Sequence, residues 1–152
     1  MRLENRFPPP LITGMLMLLM AIGTIFLPRE PISNALRFGL GSPVAGIGLL
    51  LTSLGFFQFK RAKTTISPVK IEAASAIVSD GVFRHSRNPM YVGFTLILVG
   101  WAGCLARPWL LLAPASFIAF MTRYQIIPEE RVLTAKFGRA YTDYQARVRR
   151  WL

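Results

Sequence analysis

Hydrophobic and polar positions fall in long blocks along this chain rather than in the short alternations of a soluble fold. Four blocks carry no acidic or basic residue: Leu11 to Leu27, Leu40 to Phe59, Met90 to Ala106, and Trp109 to Thr122. A helix rises 1.5 Å per residue and a hydrocarbon core is about 30 Å thick, so about 20 residues make a crossing. The blocks predict four transmembrane helices, over about 11–27, 40–59, 90–106 and 109–124. The last is carried through Arg123 and Tyr124, because a terminal Arg can snorkel and Tyr favours the interface. Only Ala106-Arg107-Pro108 separates spans three and four, so they form a tight hairpin with neighbouring ends. Beyond them Val132, Leu133, Phe137, Tyr141, Tyr144, Val148 and Trp151 recur at spacings of 3 and 4, predicting an amphipathic helix along the interface that Gly138 interrupts. The expected fold is an all-α integral membrane protein of one domain over 1–152, with its functional part at about 64–152.

Composition supports that class. Of 152 residues 53% are hydrophobic and 16% charged, and the mean hydropathy of +0.43 excludes an ordinary soluble domain. A net charge of +11 invites a nucleic-acid reading, but its distribution opposes one. With four spans, fifteen of the 18 Lys and Arg fall on one side and only Arg29, Arg37 and Arg107 on the other. The positive-inside rule then makes both termini and the central loop cytoplasmic, and the basic excess faces anionic headgroups. No nucleic-acid partner is expected, and the expected location is a bacterial inner membrane. Arg2 and Arg6 before an apolar core resemble the start of a signal peptide. The core is too long and no small-x-small site follows, so it reads as a retained span. Cys104 is the lone cysteine and His85 the lone histidine, so neither a disulfide nor a metal cluster is predicted. Gly41, Ser42, Ala45, Gly46 and Gly48 predict a close helix contact in span two, with Ser42 and Gly46 as a small-xxx-small pair.

Two polar constellations interrupt this apolar plan. The loop from Lys60 to Asn88 has 29 residues, too many for a mere connector. It carries an extended stretch, Ala76-Ile77-Val78, and a Ser79-Asp80-Gly81 turn. It ends in Arg84, Arg87, Asn88 and Pro89, where Asn88 is a preferred N-cap residue and Pro89 suits the first helical position. Such a helix start beside two arginines is an anion site or, more simply, a capped basic loop that fixes membrane orientation. The second constellation is Glu129-Glu130 after Pro128, which complements a helix dipole or contributes to a ligand site. The short hairpin brings both to one membrane face, where together they suit a ligand bearing both charges.

At this point the residues resemble a known family. Arg87-Asn88-Pro89-Met90-Tyr91, a hydrophobic hairpin and then Glu129-Glu130 resemble the Arg-His-Pro-x-Tyr and Glu-Glu pattern of the isoprenylcysteine carboxyl methyltransferase and phospholipid methyltransferase superfamily. Gly81-Val82-Phe83, Tyr91-Val92-Gly93, Leu133, Phe137-Gly138, Tyr141, Tyr144 and Arg147-Val148 extend the match, which covers about Thr64 to Leu152. The resemblance implies an integral-membrane enzyme that uses S-adenosylmethionine at the cytoplasmic ends of its last two spans. It implies a cofactor site lined by Ser75, Ala76, Ile77, Val78, Phe83, Asn88, Pro89, Met90, Tyr91 and Glu129. The catalytic residues stay open, with Arg87, Glu130 and Arg123 as candidates. Methyl transfer from an activated sulfonium chiefly needs alignment and water exclusion, which agrees with a sequence that offers no catalytic triad.

Two departures bear on the acceptor. Asn88 stands where the family has histidine, and Gln125 where the isoprenylcysteine enzymes resemble one another in having an arginine for the substrate carboxylate. The nominal acceptor is an isoprenylated cysteine carboxylate. A phospholipid amine, for which His85 or Glu130 could remove a proton, and a lipophilic thiol are the alternatives. Outside this class stand a sterol-reductase-like NADPH oxidoreductase and a non-catalytic scaffold. Membrane lipids are expected partners, and the oligomeric state is open.

Overall fold

The computed structural model describes residues 8–62 and 75–152. Among them every regular element is helical: α1 Pro9–Gly23, α2 Asn34–Arg61, α3 Pro89–Leu105, α4 Leu112–Met121, α5 Ile127–Phe137 and α6 Arg139–Arg147. A 3₁₀ turn at Gly81–Arg84 precedes α3, another at Pro108–Leu111 opens α4, and a π turn at Thr122–Ile126 joins α4 to α5. Two helices are long and apolar enough to cross a membrane, α2 and the continuous helical run Pro108–Phe137. At 15 and 17 residues, α1 and α3 are about 22 and 26 Å long, short of a full hydrocarbon core.

Several boundaries differ from the sequence expectation, each for a local reason. The first helix starts at Pro9, where the missing proline N–H costs nothing. It stops at Gly23 rather than Leu27, where Thr24, Ile25 and Phe26 tighten to bonds three residues back, and Arg107 takes the carbonyls that Pro28 and Pro31, lacking N–H groups, leave free. Its Nη2 donates to Thr24 O and its Nε to Leu27 O, both at 2.9 Å. The second helix begins six residues before Leu40, capped by Ser33 Oγ, which accepts from Leu36 N at 3.2 Å. Residues 76–78 form no strand; irregular backbone leads from them into the 3₁₀ turn. The tail is two helices, because Gly138 sits at φ 51°, ψ −125°, a region that side chains disfavour.

The core lies between α1, α3 and α4, where Met20, Leu98, Phe117 and Met121 are almost fully buried. Against its other face α3 takes α2 through glycine rather than through side chains. A Cβ on Gly48 would stand 2.5 Å from Gly93 O, and one on Gly100 equally close to Gly41 O. The spacing of seven, Gly41-Gly48-Gly55 on α2 and Gly93-Gly100 on α3, carries this contact. Of the expected Ser42 and Gly46 pair, Ser42 reaches α3 through its hydroxyl, 3.8 Å from Cys104 Sγ, whereas Gly46 has open space around it. The remaining faces of α1 and α2 are apolar and uncovered, Leu18 at 62%, Leu40 at 63% and Leu50 at 59% exposure, as helices lying in lipid require.

Candidate active site

Pro89 opens α3 as its first residue, but Asn88 does not cap it with its side chain. The Asn88 amide instead donates from Nδ2 to Arg150 O at 2.9 Å, and Ser86 Oγ accepts from Asn88 N at 3.1 Å. A preferred capping residue has therefore been diverted to a long-range contact. The backbone does the same next door, where Arg87 N donates to Arg149 O at 2.9 Å. Residues 148–152 thus return from α6 as an extended strap across the loop. Trp151 fixes the far end, its Nε1 donating to Thr122 Oγ1 at 3.1 Å.

Beneath the strap the two acids of α5 take different partners. Glu130 is bound by two arginines, Arg87 Nη2 at 2.7 Å and Arg150 Nη2 at 2.6 Å. The side chains of Arg87 and Glu130 are each 11% exposed, so this is a buried ion pair. Arg87 also donates from Nη1 to Gln145 O and Val148 O, while its Nε is buried without a partner among the described residues. Hydrogen bonds to Glu130 hold the Arg150 guanidinium still more firmly charged than usual. Glu129 faces α3 instead. Its Oε1 accepts from Tyr91 Oη at 2.9 Å and from Gln125 Nε2 at 2.6 Å.

The π turn decides which residues of this stretch face inward. Pro128 has no N–H, and in an α-helix its ring would collide with the Tyr124 carbonyl. One extra residue in the turn, with Ile127 N returning to Thr122 O, relieves that conflict. Gln125 and Ile126 are thereby buried and Arg123 is exposed. Farther on, Tyr144 Oη donates to Phe83 O at 2.8 Å and pins α6 to the 3₁₀ turn. Burial pushes the Tyr144 hydroxyl up to about 12, with Arg87 pulling the other way, so it stays a neutral donor.

These elements enclose a cavity of about 430 Å³. Of the residues that the sequence proposes for a cofactor, Ala76, Ile77, Val78, Phe83, Asn88, Pro89, Met90, Tyr91 and Glu129 border it, and Ser75 does not. Of the catalytic candidates, Arg87 and Glu130 border it bound to each other, and Arg123 lies outside. His85 is exposed and also absent from the wall. The expectation that Asn88 caps α3 is corrected by its bond to Arg150. Glu129 and Glu130 do stand in the first turn of α5, and the π turn runs into that turn from α4 without a break.

Sequence reasoning missed the remaining wall. Phe56 and Phe59 of α2 and Pro8 to Pro10 at the start of α1 complete it, and Phe59 meets Phe83 edge-on at 5.1 Å. The signal available was an aromatic cluster beside Lys60 and a proline run at the same membrane face. Nothing local marked Arg150 as the second partner of Glu130, since 20 residues separate them.

Comparison with known proteins adds to this geometry. A family model described as phospholipid methyltransferase matches residues 36–140. Protein-S-isoprenylcysteine O-methyltransferase B of Arabidopsis thaliana is 30% identical over 112 residues, 74% of this chain and 56% of that protein. Protein-S-isoprenylcysteine O-methyltransferase of Tribolium castaneum is 33% identical over 114 residues, 69% of this chain and 40% of that protein. The chain therefore spans about half the length of these named relatives. An uncharacterized protein of Haemophilus influenzae is 40% identical over its whole length, 41% of this chain. No solved structure matches the chain significantly.

Proposed function

The chain belongs to the phospholipid methyltransferase family, and on that premise we propose that it transfers a methyl group from S-adenosylmethionine to a lipophilic acceptor at the cytoplasmic membrane face. The observation that carries this reading is the cavity itself, where an acid with a spare oxygen and the start of α3 stand among aromatic walls. Glu129 Oε1 is occupied twice, so Oε2 is left to receive an ammonium. The N-terminus of α3 suits a carboxylate. Phe83 and Tyr91 bring aromatic rings to the wall, suited to an adenine or a sulfonium. An amino acid joined to an aromatic base through a cation needs that set of groups.

Bound S-adenosylmethionine would supply an electrophilic methyl on sulfur, open to in-line displacement. The chain's own residues would bind, orient and exclude water, and none need act as a metal ligand. Phe56, Phe59, Phe94, Ile126 and Leu133 give the cavity an apolar side suited to the acceptor's hydrocarbon part. The nominal acceptor is an isoprenylated cysteine carboxylate, as the names of the relatives suggest. A phospholipid amine follows from the description of the family, and a lipophilic thiol fits the same wall. We further infer four spans in one domain, with both termini cytoplasmic in a bacterial inner membrane.

Calorimetric titration of the detergent-purified protein with S-adenosylhomocysteine, beside Glu129→Ala, tests the donor. Binding that weakens about tenfold or more in the variant is expected from loss of a charge-assisted bond. A folded wild-type protein that binds neither S-adenosylhomocysteine nor S-adenosylmethionine would end the methyltransferase reading.

A further inference from the structure

Gln125 is buried to 3% exposure, yet it does not border the cavity. Its amide is instead directed along the helix to Glu129, one α-helical step of four residues away, at 2.6 Å. The acceptor oxygen is the same Oε1 that Tyr91 Oη binds from the opposing helix at 2.9 Å. Two donors from two helices therefore converge on one oxygen of a carboxylate that borders the cavity. The π turn forced by Pro128 brings this about, burying position 125 and leaving Arg123 exposed.

We propose that Gln125 is a positioning residue for the methyl donor: with Tyr91 it locks Glu129 through Oε1 so that Oε2 is presented to the donor's ammonium. The assignment rests on the donor site proposed above and goes beyond it, since it moves position 125 from the acceptor side of the reaction to the donor side. The physical case is one of preorganisation. A glutamate side chain free to rotate loses conformational freedom each time it captures a cation, and one already held by two donors does not. A neutral donor is also what this place requires. An amide fixes the carboxylate without cancelling its charge, whereas a guanidinium at the same distance would compete with the incoming ammonium. A carboxylate acceptor could not draw on Gln125 without stripping Glu129 of one of its two donors.

The test is calorimetry on the full chain in detergent with two ligands, S-adenosylhomocysteine and its analogue lacking only the amino group. Gln125→Met keeps the side-chain length and removes the N–H. It should weaken S-adenosylhomocysteine by about tenfold and leave the deamino analogue within about twofold of wild type, because only the ammonium uses Glu129. Equal weakening of both ligands would make Gln125 a packing residue, and no weakening would make it idle; either overturns the assignment. Should Gln125→Met not fold, Gln125→Asn, whose amide is one methylene too short to reach, carries the same comparison. Wild-type protein that binds neither ligand fails at the donor site itself and takes this assignment with it. Wild-type binding with an unaffected variant removes the role of Gln125 alone.

Discussion

Glu130 sits between Arg87 and Arg150 with both of its oxygens engaged, and its removal would strand a buried guanidinium. Breaking a buried pair by deleting one partner costs about 3–5 kcal/mol, so Glu130→Ala should lower the thermal unfolding temperature sharply. Arg150→Ala removes a partner that is 38% exposed and should cost much less. Equal effects of the two variants would mean that the pair is solvated in solution. Tyr144 makes a second prediction at this scale. Its pKa is about 12 in the folded protein against 10.0 ordinarily, so its contribution to stability is complete below pH 10 and is lost as pH rises through about 12. Denaturation profiles should show a decline in that window that Tyr144→Phe makes shallower. Tyr144 was visible in the sequence only as part of the amphipathic spacing and the family match, and the partners of neither residue were visible. Glu130 was legible as half of an acid pair, and only the folded chain gives it two cations.

Between α2 and α3 the contact is made by backbone, and it is the element-scale feature most exposed to substitution. A Cβ at Gly48 or Gly93 meets main-chain oxygen of the facing helix at 2.5–2.6 Å, and main chain cannot turn aside as a side chain does. Gly48→Val and Gly93→Val should each destabilise by about 1–3 kcal/mol through overpacking. Gly46→Ala, with open space around it, should not destabilise and can gain up to about 1 kcal/mol from helix propensity, so it serves as the control. The sequence marked this helix as rich in small residues but not which of them touch, because seven-residue spacing on one helix has meaning only when the partner face is known. The same holds for the π turn. Pro128 announces a disturbed helix, yet whether the helix kinks, stops or takes in an extra residue depends on what packs against it.

For the whole molecule, the gathering of the loop before α3, the start of α5 and the strap at 148–152 at one end sets the expected orientation. In a background with Cys104→Ala, a membrane-impermeant maleimide should label Arg139→Cys only when the cytoplasmic face is accessible, and Trp109→Cys from the other side. Reversed labelling would overturn the cytoplasmic placement of the site. Arg107 has a structural part at that opposite end. It ties the ends of α1 and α3 together through Thr24 O, Leu27 O and Leu105 O, a use of charge that a count of positive residues reads only as topology.

The sequence by itself determined the class of this protein and the neighbourhood of its site. Charge-free blocks can satisfy their backbone only as helices in lipid, and a connection as short as Ala106 to Pro108 forces the ends of two helices together. Those constraints are local, so they are written in composition and spacing. Tertiary structure decided the pairing within the neighbourhood: Asn88 with Arg150, Glu130 with two arginines, Glu129 with Tyr91 and Gln125, and Phe56 and Phe59 as a wall. Most of these contacts join residues 20–62 positions apart. No helical period links such residues, and each polar group had several chemically acceptable partners until the fold chose one.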